Sequence, residues 1–183
     1  MDNNDRLIRL RYALDIKDTD MIKIFKLGGI ELTKEEVRKV LTKSKDSFPE
    51  DIYECDELDD YYKAEENEED DNIKCNDRML ESFLSGFITF KRGKQEPKPG
   101  QPEKPAPSMK NGGSVNNMML KKLKIALSLT SEDMLNTLEE GGVTVTKGEL
   151  GAIFRKEGHK HYRECGDNYA RKFLRGLALK NRK

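Results

Sequence analysis

Tryptophan is absent from this 183-residue chain, and histidine, cysteine and proline are scarce, at two, three and six residues. Each scarcity closes a route. Three cysteines cannot build a disulfide framework, which points to a reducing, cytoplasmic setting. With both histidines, His159 and His161, near the carboxyl end, most of the chain lacks the commonest general base. No apolar run approaches the ~18 residues of a membrane span, and no basic-then-apolar amino terminus predicts a secretory signal. No segment alternates polar and apolar residues as a half-buried strand does. With 35% hydrophobic and 37% charged residues, the composition describes a soluble protein with lean cores.

What is present is repetition. Residues 3–41 align without a gap on residues 116–154, and residues 75–92 align on 165–182. The first block pairs Asn3, Asn4, Leu7, Leu10, Ala13 and Leu14 with Asn116, Asn117, Leu120, Leu123, Ala126 and Leu127. It continues with Asp20, Met21, Gly28, Gly29, Thr33, Lys34 and Glu36 against Asp133, Met134, Gly141, Gly142, Thr146, Lys147 and Glu149. The second block pairs Cys75, Asp77, Phe83, Leu84, Gly86 and Arg92 with Cys165, Asp167, Phe173, Leu174, Gly176 and Arg182. A module this short is marginal alone, so the two copies are expected to pack against each other.

Each copy reads as four helices. Leu7, Leu10 and Leu14 recur at helical spacing after the cap candidates Asn3, Asn4 and Asp5. A second helix starts near Asp18 or Ser131, read as acceptors for its first N–H groups, and stops at a glycine pair. With Gly29 left-handed, the closing hydrophobic contact falls between Ile30 and Phe25, or Val143 and Leu138. Thr33 with Glu36 and Thr146 with Glu149 are capping boxes for a third helix, and Leu32–Val37 and Val145–Leu150 are the staples. The fourth begins near Asp77 or Asp167. Gly86 and Gly176 inside it predict close approach of another backbone, because glycine costs a helix about 1 kcal/mol relative to alanine.

The zero net charge hides a partition. Residues 44–71 carry 14 acidic against 2 basic groups, whereas residues 115–183 carry 14 basic against 8 acidic. The acidic insertion of the first copy, residues 44–74, is expected to be a self-repelling loop, and residues 94–114 hold five of the six prolines, as a tether does. Tyr53, Tyr61 and Tyr62 give the insertion some apolar reach, so it is either a solvated charge run or an intramolecular mask over the basic copy.

Catalytic chemistry is hard to find. His159, His161 and Cys165 form an H-x-H-x3-C cluster, a candidate zinc set without a fourth ligand or a histidine counterpart in the first copy. Cys75 and Cys165 read more simply as small core residues. Gly28-Gly29 and Gly141-Gly142 follow helices and lack the phosphate-loop context, so they read as helix stops. The second and third helices make a helix-turn-helix-like pair whose outward residues are Lys34, Arg38 and Lys39, or Lys147, Arg155 and Lys156. Together Lys147, Arg155, Lys156, Lys160, Arg163, Arg171, Lys172 and Arg175 form the candidate nucleic-acid-binding set, with a solvated helical face as the alternative.

The duplicated N-N-x-x-L-x-x-L-x-x-A-L opening and the D-M-x6-G-G turn followed by T-K-x-E stand beside two further motifs. These are R-K-x-G-H-K-x-Y-R-x-C-G-D from Arg155 to Asp167 and the F-L-x-G-L ending. The pattern resembles the YehS-like family of uncharacterised bacterial proteins. That resemblance implies a duplicated bacterial cytoplasmic protein and carries no residue roles.

The sequence is therefore read as all-α, with two tandem four-helix modules at residues 1–93 and 115–183. It implies no enzyme, no cofactor and no membrane partner. Nucleic acid is the first expectation for a partner, and another protein, bound by an adaptor without nucleic-acid affinity, is the alternative.

Overall fold

The computed structural model describes residues 1–42, 72–94, 99–100 and 114–182. Most of the acidic insertion and of the proline-rich tether lies outside the described residues, and so does the masking expectation. Among the described residues there are eight helices and no strand. They are α1 (Asn3–Ala13), α2 (Asp18–Leu27), α3 (Lys34–Val40), α4 (Asp77–Arg92), α5 (Val115–Ala126), α6 (Ser131–Glu140), α7 (Lys147–Phe154) and α8 (Asp167–Asn181). None is long and apolar enough to cross a membrane.

The ends of these helices follow from local chemistry. Thr33 Oγ1 accepts from Glu36 N at 3.2 Å while Thr33 N donates to Glu36 Oε2 at 2.7 Å, and Thr146 with Glu149 repeats the box at 3.2 and 3.0 Å. A further box was not expected. Thr130 and Asp133 close it at 2.8 and 3.1 Å, so Ser131 is the first helical residue rather than the cap. At the matching place Lys17 precedes α2 with no side-chain cap.

The glycine stops take the expected form: Gly29 and Gly142 have φ of 90° and 91°, and Ile30 N and Val143 N each donate 2.9 Å back to Phe25 O and Leu138 O. Similar hairpins close α1 and α5, but with Asp15 and Ser128 in the left-handed position, at φ 49° and 52°.

Packing uses small contacts. A Cβ on Gly86 would collide with the carbonyl of Ile24, and one on Gly28 with the carbonyl of Ser82, so α2 and α4 touch backbone to backbone. Gly176 against Thr137 and Gly141 against Lys172 give α6 and α8 the same approach. Around these crossings Leu7, Leu10, Met21, Ile24, Phe25, Leu80, Phe83, Leu84 and Phe87 are buried, with the Phe25 and Phe83 rings 4.9 Å apart. Leu120, Leu123, Met134, Leu138, Leu150, Ile153, Phe173, Leu174 and Leu177 are the corresponding core of the second half. Each such side chain contributes about 1.5–3 kcal/mol.

Between the halves the packing is reciprocal. α1 lies on α8, and α4 lies on α5, so the first helix of each half meets the last helix of the other. The far ends are tied alike: Arg182 Nε donates to Tyr12 O at 2.9 Å, and Arg92 donates to Ile125 O at 3.4 Å.

Candidate functional site

The repeated asparagines are buried and heavily hydrogen-bonded. Asn4 is buried and uses three bonds: Nδ2 donates to Val40 O at 2.7 Å and Ile73 O at 2.8 Å, and Oδ1 accepts from Cys75 N at 2.9 Å. Asn117 does the same to Ile153 O, Arg163 O and Cys165 N, at 2.9, 2.9 and 2.7 Å. Each asparagine thereby pins the end of the third helix and the entry to the fourth. The cysteines beside them are buried, and burial pushes both thiols up to about 12, which removes them as nucleophiles.

Asn3 and Asn116 carry the network across the interface. Asn3 donates to Asp77 at 2.7 Å and Asn116 to Asp167 at 2.8 Å. Arg6, only 7% exposed, reaches Asn3 at 2.9 Å, Asn116 at 2.9 Å and Asp167 at 3.2 Å. The corresponding residue of α5 is Met119, so one arginine serves both halves. Burial lowers the guanidinium pKa against the pull of Asp167, Asp5, Asp77 and Asp2. Burial would also raise the Asp167 carboxyl, but hydrogen bonds from the Met1 ammonium at 2.7 Å and from Asn116, with those charges, hold it below its ordinary value.

The basic candidates separate into two sets. Lys147, Arg155, Lys156, Lys160 and Arg163 are exposed, and Arg171, Lys172 and Arg175 on α8 are half-buried. Lys147 lies 3.1 Å from Glu132 and Arg163 lies 3.3 Å from Glu149, exposed pairs that contribute little. α7 ends at Phe154, so Arg155 and Lys156 fall beyond the helix expected to present them, in a turn fixed by Arg163 N bonding Ala152 O at 3.1 Å. In the first half Lys34 and Arg38 are exposed, Arg38 lying 3.9 Å from Asp18, while Lys39 is half-buried.

The candidate metal ligands do not converge. His159 and His161 are exposed with rings 6.0 Å apart, whereas Cys165 is buried, and no metal-holding group of three appears among the described residues. Beside that turn is a cleft of about 260 Å³ lined by Val143, Ile153, Arg163, Cys165 and Tyr169. The Tyr169 hydroxyl is buried there without a hydrogen-bond partner, and burial raises the phenol to about 12.

Two seams between the halves differ in charge. On α4/α5, buried Lys122 donates to Ser85 Oγ at 2.7 Å and lies 3.9 Å from Glu81, with its pKa lowered by burial against Glu81. On α1/α8 the corresponding positions are Arg9, Arg175 and Arg171, and Arg9 pairs with Asp5 at 3.0 Å. The sequence reading missed Arg9, and only the cross-half register identifies it.

The described residues are all-helical, and buried Arg6 of α1 ties the two halves together through Asn116 of α5 and Asp167 of α8. The family model described as "Protein of unknown function (DUF1456)" matches residues 3–93 and 116–183, and the chain belongs to that family. It is similar to "Uncharacterized protein YehS" of Escherichia coli (strain K12), 36% identical over 179 residues that cover 97% of this chain and 95% of the relative. No solved structure matches it.

Proposed function

We propose that this is a non-enzymatic, cytoplasmic bacterial protein that associates with nucleic acid through the basic residues of its second half. The observation that carries the reading is the row of exposed cations Arg155, Lys156, Lys160 and Arg163 in one short turn. Lysine and arginine concentrated on one surface neutralise phosphates and release counterions. The α2–α3 and α6–α7 pairs are helix-turn-helix-like in order only, since two of the expected contact residues follow α7 rather than lie on it. Repeated caps, glycine crossings and asparagine clamps support two tandem modules descended from one, joined by the proline-rich tether.

The test is fluorescence anisotropy with labelled DNA and RNA across about 50–300 mM salt, where phosphate-dominated binding weakens steeply. Binding that ignores salt, or no binding, would sink the reading. A protein-binding adaptor is the second reading, favoured by exposed Leu27, Phe90, Ile125 and Leu179. Phe90 and Ile125 lie at the adjoining ends of α4 and α5, and partner capture indifferent to salt and nuclease would select it.

A further inference from the structure

The two halves differ at the cleft beside the basic turn. Val143, Arg163 and Tyr169 line it, and they occupy the places of Ile30, Ile73 and Met79 in the first half. The match of Arg163 with Ile73 is fixed by Asn117 and Asn4, which donate to their carbonyls. In the first half the three apolar side chains pack against the core. Gly166, also in the lining, stands where Asn76 caps α4 by accepting from Met79 N at 2.8 Å, and α8 starts with no side-chain cap. The second half thus has a guanidinium, a phenol and about 260 Å³ of open space where the first has apolar packing and a cap.

Arg163 belongs to both the cleft and the basic turn, so the two surfaces are continuous. The turn is held by its own main chain: His159 N donates to Lys156 O at 3.0 Å, Tyr162 N to His159 O at 2.9 Å and Arg163 N to Ala152 O at 3.1 Å. Lys156 and Lys160 are exposed on it. The exposed pair of Arg163 with Glu149, at 3.3 Å, competes only weakly with a phosphate. At the matching place the first half carries the acidic residues 44–71, so the cations are not a by-product of the repeat.

We infer that this cleft receives one unpaired base of a single-stranded nucleic acid whose flanking phosphates lie on Lys156, Lys160 and Arg163. This rests on the nucleic-acid reading above and adds the form of the ligand. Val143, Ile153 and the Tyr169 ring offer an apolar wall to the face of a base, a contact that any base can make. The Tyr169 hydroxyl lacks a hydrogen-bond partner in the protein, and a base edge can supply one. A base stacked and paired inside a duplex presents neither face nor pairing edge, so the cleft selects single strands.

The first half supplies the variant. Gly166→Asn with Tyr169→Met copies Asn76 and Met79, restores a cap and leaves every charge in place, with the fold checked by circular dichroism and a thermal melt. Gly166 has φ −68° and nothing within 4 Å of an added Cβ, so asparagine fits its backbone. Fluorescence anisotropy compares a labelled single strand, its duplex and an abasic strand of the same length. The wild type is expected to bind the single strand about tenfold more tightly than the abasic strand, and more tightly than the duplex. The variant loses about tenfold on the single strand with its log–log salt slope unchanged, because no phosphate contact has gone. Lys156→Gln with Lys160→Gln instead weakens single strand and duplex alike and makes the slope shallower.

Undiminished single-strand binding by the folded variant, equal binding of abasic and ordinary strands, or a preference for duplex overturns the cleft alone, and the nucleic-acid reading survives through the exposed turn. No binding of any nucleic acid by the wild type overturns both. Binding of free nucleoside monophosphates as tightly as an oligonucleotide overturns the strand in favour of a nucleotide ligand.

Discussion

Asn4 and Asn117 each satisfy three backbone groups that helix geometry alone leaves open. A buried carbonyl or N–H without a partner costs about 1–3 kcal/mol, so Asn4→Ala or Asn117→Ala is expected to destabilise by roughly 3 kcal/mol or more. Urea unfolding measures this, and a loss below about 1 kcal/mol would mean that water replaces the side chain. Ser128 is the opposite case, a residue held at φ 52° where glycine is at ease. Ser128→Gly is expected to raise the melting temperature slightly. Asp15, its counterpart at φ 49°, is a poorer test because its carboxylate also lies 3.5 Å from Arg182.

At the level of helices, the glycines divide by what surrounds them. Gly86→Ala and Gly176→Ala drive a methyl into the carbonyls of Ile24 and Thr137, and the helix crossings must open. Overpacking of this kind costs about 1–3 kcal/mol. Gly151, exposed on α7, has nothing within 4 Å of an added Cβ, so Gly151→Ala is expected to stabilise by about 1 kcal/mol through helix propensity. Thermal melts of the three variants should show one midpoint rising and two falling. These helices were legible in the sequence because their signals are local: threonine three residues before glutamate, a glycine pair at a stop, leucine at helical spacing. Thr130 with Asp133 was equally local but was obscured by Ser131, a good cap next to a better one. The first asparagine pair reads in the sequence as cap candidates, whereas Asp2 caps α1 and both Asn3 and Asn4 lie buried inside it. The partners of the asparagine clamps are main-chain atoms, which carry no sequence signature.

Across the whole molecule, what the sequence could not disclose is which helix of one half meets which helix of the other. Arg6 shared between Asn3, Asn116 and Asp167 depends entirely on that pairing. The pairing also makes stability depend on pH. Asp167 has its carboxyl held below the ordinary value in the folded protein, so its contribution is present above the unfolded carboxylate pKa of about 3.9 and is lost as pH falls through the lower folded value. The capping carboxylates Glu36, Asp133 and Glu149 shift in the same direction through their threonine hydrogen bonds, so acid weakens helix ends as well. Comparing wild type with Asp167→Asn separates the two effects, because the caps are common to both proteins. The variant keeps a hydrogen-bond acceptor for Arg6 but loses the charge. It should unfold at lower urea than the wild type near neutral pH, and the two midpoints should converge as the wild-type carboxylate becomes protonated. A gap that persists undiminished into acid would mean that Asp167 holds the halves together by shape and hydrogen bonding rather than by its charge.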